Sequence, residues 1–240
     1  MFWRKCVIER KDKHMNIIQD FIPIGRRNRP SRNNPMLFIT VHETGNTNRG
    51  ANACAHANYL KGNDAANVPV SWHYTVDDTE TYQHLPENED AFHAGDGSGN
   101  GNRQSISIEI CVNSDGDFQS AIDRAAWLVT DICIRRNVPI ANIRQHFDWS
   151  RKNCPQNIRA GRPLSWNAFL DKVRANLKSW VENPAIPILR HSNPNTPSSW
   201  ARKAWEWAVA NKITDGTNPQ GIPTREQMVQ LLYNYHEFTK

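Results

Sequence analysis

Residues 105–111 read SISIEIC, and their alternation constrains the fold more than any other feature of the chain. Ile106, Ile108 and Ile110 fall on one face of an extended segment, Ser107 and Glu109 on the other. A second segment, MLFITVH (36–42), repeats the arrangement, with Leu37, Ile39 and Val41 facing away from Thr40 and His42. Helical patterns interleave with these strands. NRGANACAHANYLKG is Ala-rich and stops at a Gly, so it returns across the sheet as a helix. DFQSAIDRAAWLVTDICIRRN places Ile122, Ala125, Ala126, Val129 and Cys133 on one stripe and ends near Pro139. LSWNAFLDKVRANLKSWV does the same through Trp166, Phe169, Leu170, Val173, Leu177 and Trp180. SWHYTVDD and TYQHLP read as a hairpin around Asp78 to Glu80. Strands alternating with helices predict an α/β domain over residues 15–182.

The flanks read differently. Residues 1–14 (MFWRKCVIERKDKH) are charged where a secretory leader needs an apolar run, and they are an N-terminal extension outside the fold argument. The reading is therefore synthesis in the cytoplasm without a signal peptide. Four prolines in NPAIPILRHSNPNTP mark residues 183–197 as a linker. Residues 198–240 follow as a small helical module, with Trp200, Ala204, Trp207 and Ala208 on one face and Met228, Leu231, Leu232 and Tyr235 on another. About forty residues is marginal for a lone domain, so the module leans on the first domain or on a second copy of itself.

A formal charge of +5 and a pI near 9 suit an anionic partner, and nucleic acid, acidic lipid and an acidic wall polymer all qualify. No helix-turn-helix, RNP or zinc-finger spacing accompanies the basic residues, which argues against nucleic acid. No apolar run approaches the roughly 18 residues of a membrane span. Five cysteines at irregular spacing speak against a disulfide framework. Cys54, Cys111 and Cys133 sit in apolar or small-residue patterns, whereas Cys154 lies in a polar one, HFDWSRKNCP (146–155). His146 and Cys154 offer an imidazole and a thiolate, and His42 on the polar face of its strand is the best third donor for a zinc ion. By spacing alone, this set and a chance pairing at the end of a helical hairpin both stand.

Five blocks occur in order: VHETGNT, WHYTVDD, AFHAGDGSGNGN, SISIEIC and H-x5-K-x-CP. Together, over about residues 20–160, they resemble the zinc-dependent N-acetylmuramoyl-L-alanine amidases, a family that includes bacteriophage lysozyme-like amidases and animal peptidoglycan recognition proteins. NIIQDFIP and WSRKNCP look closest to endolysins and autolysins of Gram-positive systems. The resemblance implies a central mixed β-sheet flanked by helices. It implies that His42, His146 and Cys154 bind Zn2+, that Glu109 acts as acid/base, and that Lys152 faces the developing oxyanion. His93, in FHAG, resembles a position lining the substrate groove. Trp72 stands where some relatives carry a catalytic Tyr; it has no titratable hydroxyl and is kept as a substrate-binding position, with the acid/base role resting on Glu109. His73 reads as a hydrogen-bonded core residue, His56 and His84 as surface or partly buried, and Glu43 as structural.

The implied activity is hydrolysis of the amide between N-acetylmuramic acid and L-alanine in Gram-positive peptidoglycan by a phage or prophage endolysin. The rival is a peptidoglycan-recognition protein that binds without cutting; retention of Cys154, Lys152 and Glu109 tilts against it. The tail resembles half of an S-layer-homology-like repeat, which implies wall binding. Packing, or a homodimer through this module, is the alternative.

Overall fold

The alternation in residues 105–110 is realised as a central strand of a six-stranded sheet, in a computed structural model that describes residues 17–182 and Ala210. In chain order the elements are β1 (Ile17–Gln19), β2 (Phe38–Glu43), α1 (Ala53–Lys61), α2 (Asn63–Ala66), β3 (Tyr74–Val76), β4 (Thr81–Gln83), α3 (Asn100–Gln104), β5 (Ser105–Ile110), α4 (Phe118–Arg136), β6 (Ile143–Gln145), α5 (His146–Ser150), α6 (Gln156–Arg159) and α7 (Trp166–Glu182). The strand order is β1-β4-β3-β5-β2-β6, parallel throughout except for the β3–β4 hairpin, so the sheet is mixed. The chain divides into two compact units, Met1–Asn183 and Pro184–Lys240. The expectations for residues 1–14, 183–197 and, Ala210 apart, 198–240 lie outside the described residues.

The two faces of the sheet differ as the alternation requires. Ile39, Val41, Tyr74, Val76, Ile106, Ile108 and Ile110 join Ile122, Ala125, Val129, Phe169 and Val173 of α4 and α7 in one buried core. At about 25 cal/mol per Å² of apolar area, this face is the main driving force for folding. Thr40, His42, Ser107 and Glu109 occupy the opposite face, where a smaller cluster of Ile22, Leu60, Trp72, Leu85 and Ala91 packs nearby. The chemistry-bearing residues are thus held by strands whose other side is core.

Local signals set the boundaries. Asp117 caps α4 by accepting from the Gln119 and Ser120 amides, and the helix ends at Asn137 in the left-handed region (φ 53°), two residues before the proline. Asn52 caps α1 through the Ala55 amide. Glu87, on the loop after β4, is fastened to α4 by Arg135 and Arg136 and to β3 by the Tyr74 hydroxyl.

Candidate metal centre

Three elements bring the donors together. His42 sits near the end of β2, paired in register with Glu109 of the parallel neighbour β5. His146 opens α5, directly after β6, the strand on the other side of β2. Cys154 lies in the turn between α5 and α6. That turn is tight rather than extended: the Cys154 amide donates to the Lys152 carbonyl at 2.7 Å, and the Phe147 amide donates to the Cys154 carbonyl at 3.1 Å. His42, His146 and Cys154 are all buried, and their ligand atoms lie within 4.8 Å of one another. His42 Nδ1 is 2.9 Å from His146 Nδ1 and 3.8 Å from Cys154 Sγ.

Glu43 ties this turn to the strand. Its amide donates to Cys154 Sγ at 3.4 Å, and its buried carboxylate accepts from Asn157 N, Asn157 Nδ2 and Ile158 N at 2.9, 2.9 and 3.0 Å. One residue beside His42 thereby holds both the thiol and the helix after it. α5 is fixed by Trp149, whose indole N–H donates to Thr40 Oγ1 at 3.0 Å and whose ring meets Phe38 edge-on.

Burial, together with the positive charge of Lys152, pushes His146 down to about 4. His42 is pushed well below its ordinary value by burial first and then by His93, His146 and Lys152. Both shifts favour the neutral imidazole that metal ligation requires. Burial pushes the Cys154 thiol up to about 12, so binding a metal there requires expelling the thiol proton. Two imidazoles and one thiolate suit zinc, a borderline-soft ion, and three protein ligands leave a fourth position open, as in catalytic zinc sites. The donors fit.

Glu109 lies beside them, with Oε1 at 3.9 Å from His42 Nδ1 and Oε2 buried without a hydrogen-bond partner among the described residues. Burial pushes its carboxyl up to about 8, against the pull of Lys152 and with a further push from Glu43. Lys152 lines a cleft of about 620 Å³ together with Arg32, Phe92, His93, His146 and Ser150. His93 is both on this cleft and against His42: its Nδ1 is 2.9 Å from His42 Nε2.

Trp72 is placed elsewhere. It is nearly buried, donates its indole N–H to Thr75 Oγ1 at 2.7 Å, and borders a separate hollow of about 270 Å³ with Thr44, Asn46, His56 and Tyr59. Substrate contact at Trp72 would be through this second hollow and not through the cleft of His93. His84 and His56 are buried rather than surface residues, because Trp72 packs against both and Thr75 hydrogen-bonds His84 at 2.8 Å. His73 is a core histidine, held by Ser107 Oγ and the Glu89 carbonyl. Sequence reasoning did not single out Thr40, Ser105 or Trp149 as parts of the site. Their only signal was the polar face of two strands and one Trp in HFDWSRKNCP.

Known proteins are similar to this chain in sequence and in fold. The family described as N-acetylmuramoyl-L-alanine amidase matches residues 32–157. N-acetylmuramoyl-L-alanine amidase XlyA of Bacillus subtilis (strain 168) is 52% identical over 155 residues, covering 65% of this chain and 50% of XlyA. N-acetylmuramoyl-L-alanine amidase CwlH of the same strain is 44% identical over 176 residues, 72% of this chain and 68% of CwlH. The chain thus spans about half the length of XlyA. The solved catalytic domain of XlyA superposes with a TM-score of 0.62 at 50% identity, over 66% of this chain and 99% of that domain. The structure of PlyL gives 0.61 at 34% identity, over 68% and 99%. In sequence and in fold, the chain belongs to the N-acetylmuramoyl-L-alanine amidase family.

Proposed function

We propose that this chain is a zinc-dependent N-acetylmuramoyl-L-alanine amidase that hydrolyses the amide between the lactyl group of N-acetylmuramic acid and L-alanine in peptidoglycan. The observation that carries the proposal is the convergence of His42, His146 and Cys154 beside the Glu109 carboxyl, whose Oε2 has no hydrogen-bond partner among the described residues, next to a cleft that His146 and Lys152 line. When bound, zinc supplies Lewis acidity, which polarises an amide carbonyl and acidifies water. His42, His146 and Cys154 would hold it.

Glu109 is the acid/base. Its proton affinity, raised by burial, lies close to neutrality, so one carboxyl can take a proton from water and return it to the leaving amine of L-alanine. A cation held beside it would lower that raised affinity toward the base form. Lys152 places an ammonium at the cleft, where it stabilises negative charge developing on the carbonyl oxygen. On this reading the muramoyl-peptide occupies the cleft that His93 and Phe92 line. The physiological reading is an endolysin of phage or prophage origin acting on Gram-positive walls. No helix among the described residues is long and apolar enough to cross a membrane.

Kinetics on a soluble muramoyl-peptide test the assignment. Glu109→Gln lowers kcat by about 10²–10⁴ with zinc content unchanged. Lys152→Met lowers kcat by about 10²–10³ while KM stays close to wild type. Wild-type protein that binds this substrate without releasing a free L-alanine amine would instead establish the recognition-only rival.

A further inference from the structure

We infer that His93 is a positioning residue for the metal ligand His42: a one-way hydrogen-bond chain through His93 and Ser105 places the His42 proton on Nε2 and leaves Nδ1 bare toward His146 and Cys154. The inference rests on the metal-site reading proposed above for its consequence, though not for its geometry.

The direction of the chain follows from what each group can do. Ser105 Oγ lies 2.6 Å from the Gly101 carbonyl oxygen, which can only accept. The single hydroxyl proton of Ser105 is therefore committed there. Ser105 Oγ must accept from its two other neighbours, Thr40 Oγ1 at 2.8 Å and His93 Nε2 at 3.2 Å. Thr40 Oγ1 accepts from Trp149 Nε1 through a lone pair, which leaves its one hydroxyl proton to donate to Ser105. His93 thus carries its proton on Nε2, and since its ring nitrogens meet Ser105 Oγ and His42 Nε2, with no carboxylate among the described residues hydrogen-bonded to them to hold a second proton, its Nδ1 is bare. That Nδ1 sits 2.9 Å from His42 Nε2, so His42 is the donor and its own proton is on Nε2.

The consequence falls on the centre. His42 Nδ1 has only a lone pair to offer, and it points at His146 Nδ1, 2.9 Å away. With the His146 proton on Nε2, the nitrogen on the Gly95 side of its ring, His146 Nδ1 is bare as well. Two lone pairs facing each other repel unless a cation lies between them. The chain from Gly101 to His42 therefore prepays the tautomer that a metal requires, as hydrogen-bonded partners of ligating histidines do generally. Ser105 starts β5 in register with Phe38, and Thr40 lies two residues further along β2 in register with Ser107, both on the polar face, so two neighbouring strands anchor the relay.

Two readouts test this on the full chain: zinc affinity by chelator competition, and the protonated nitrogen of His42 by long-range proton–nitrogen NMR of the metal-free protein. In wild type the His42 proton is expected on Nε2. His93→Phe keeps a ring of similar size without an acceptor. It should weaken zinc binding by about 10- to 100-fold and give a mixture of His42 tautomers. His93→Asn puts an amide oxygen where Nδ1 stood and should recover most of both. Ser105→Ala, further from the metal, should shift the His42 tautomer in the same sense, and retained thermal unfolding shows that each variant is folded. A His42 proton on Nδ1 in wild type, or a His93→Phe variant with unchanged zinc affinity and tautomer, overturns the inference. Wild type that takes up no zinc yet carries the His42 proton on Nε2 supports the relay and sinks the metal reading, so the two failures are distinct.

Discussion

Replacing Glu43 with Ala perturbs the metal centre without touching a ligand. The carboxylate accepts three hydrogen bonds from the turn that follows Cys154, and one of the donors, the Ile158 amide, is fully buried. In the variant that amide has no partner, at a cost of about 2 kcal/mol, while the two Asn157 donors reach water more readily and lose about 0.5 kcal/mol each. The sum, about 3 kcal/mol, corresponds to a fall in Tm of roughly 6–12 °C for a domain of this size. Glu43→Gln keeps one acceptor oxygen but turns an NH2 toward a donor, so its loss should be about half as large. Because the Glu43 amide also holds Cys154 Sγ, a loosened turn weakens zinc binding in the same order: Ala more than Gln, Gln more than wild type. Urea unfolding of the metal-free protein and chelator competition measure the two effects separately. A Glu43→Ala variant within about 0.5 kcal/mol of wild type, with unchanged zinc affinity, would refute the reasoning.

Other consequences follow from the same geometry. Burial alone would raise the Glu87 carboxyl, but Arg135, Arg136 and the Tyr74 hydroxyl outweigh it and bring it to about 2. A folded value below the unfolded one of about 4.3 means this stabilisation is complete above pH ~4.3 and is lost as pH falls toward 2. It amounts to about 3 kcal/mol, and Glu87→Gln should flatten that part of the acid unfolding curve. Gly101 has no room for a side chain, since a Cβ there would meet the Ala94 Cβ at 2.5 Å and Trp149 Cγ at 2.8 Å. Gly101→Ala should cost about 1–3 kcal/mol in thermal unfolding and displace the carbonyl on which the Ser105 chain ends.

Much of this architecture was legible in the sequence, for physical reasons that differ by element. β2 and β5 declared themselves because each has one apolar and one polar face, and a one-residue slip would invert both. α4 and α7 carry long stripes that only a helix can bury together. The three-residue strands β1 and β6 and the short helices α5 and α6 are too brief for any period, so the neighbourhood of His146 and Cys154 read as a loop. Residue type and spacing left His42, His146 and Cys154 open as a donor set and the family resemblance proposed it; the structure brings the three together, with Glu43 on the face opposite His42. What binds the site into one unit was not readable. Thr40, Ser105 and Trp149 act through contacts between residues 65 to 109 positions apart, and no local pattern announces such contacts. Trp72 shows the converse, since nothing in its motif announced that packing against His56, Tyr59 and His84 sets it on a different hollow from the cleft of His93.

The most direct test of the central claim is digestion of purified Gram-positive peptidoglycan, followed by mass spectrometry of the soluble products. Wild-type protein, protein stripped by chelator and then resupplied with zinc, and Cys154→Ser are compared. The account predicts stem peptides bearing a free L-alanine amine from the first sample, their loss on chelation, their return with zinc, and none from Cys154→Ser. Release of those peptides by the Cys154→Ser variant at the wild-type rate, or an intact wall with wild-type protein still bound to it, would contradict the account.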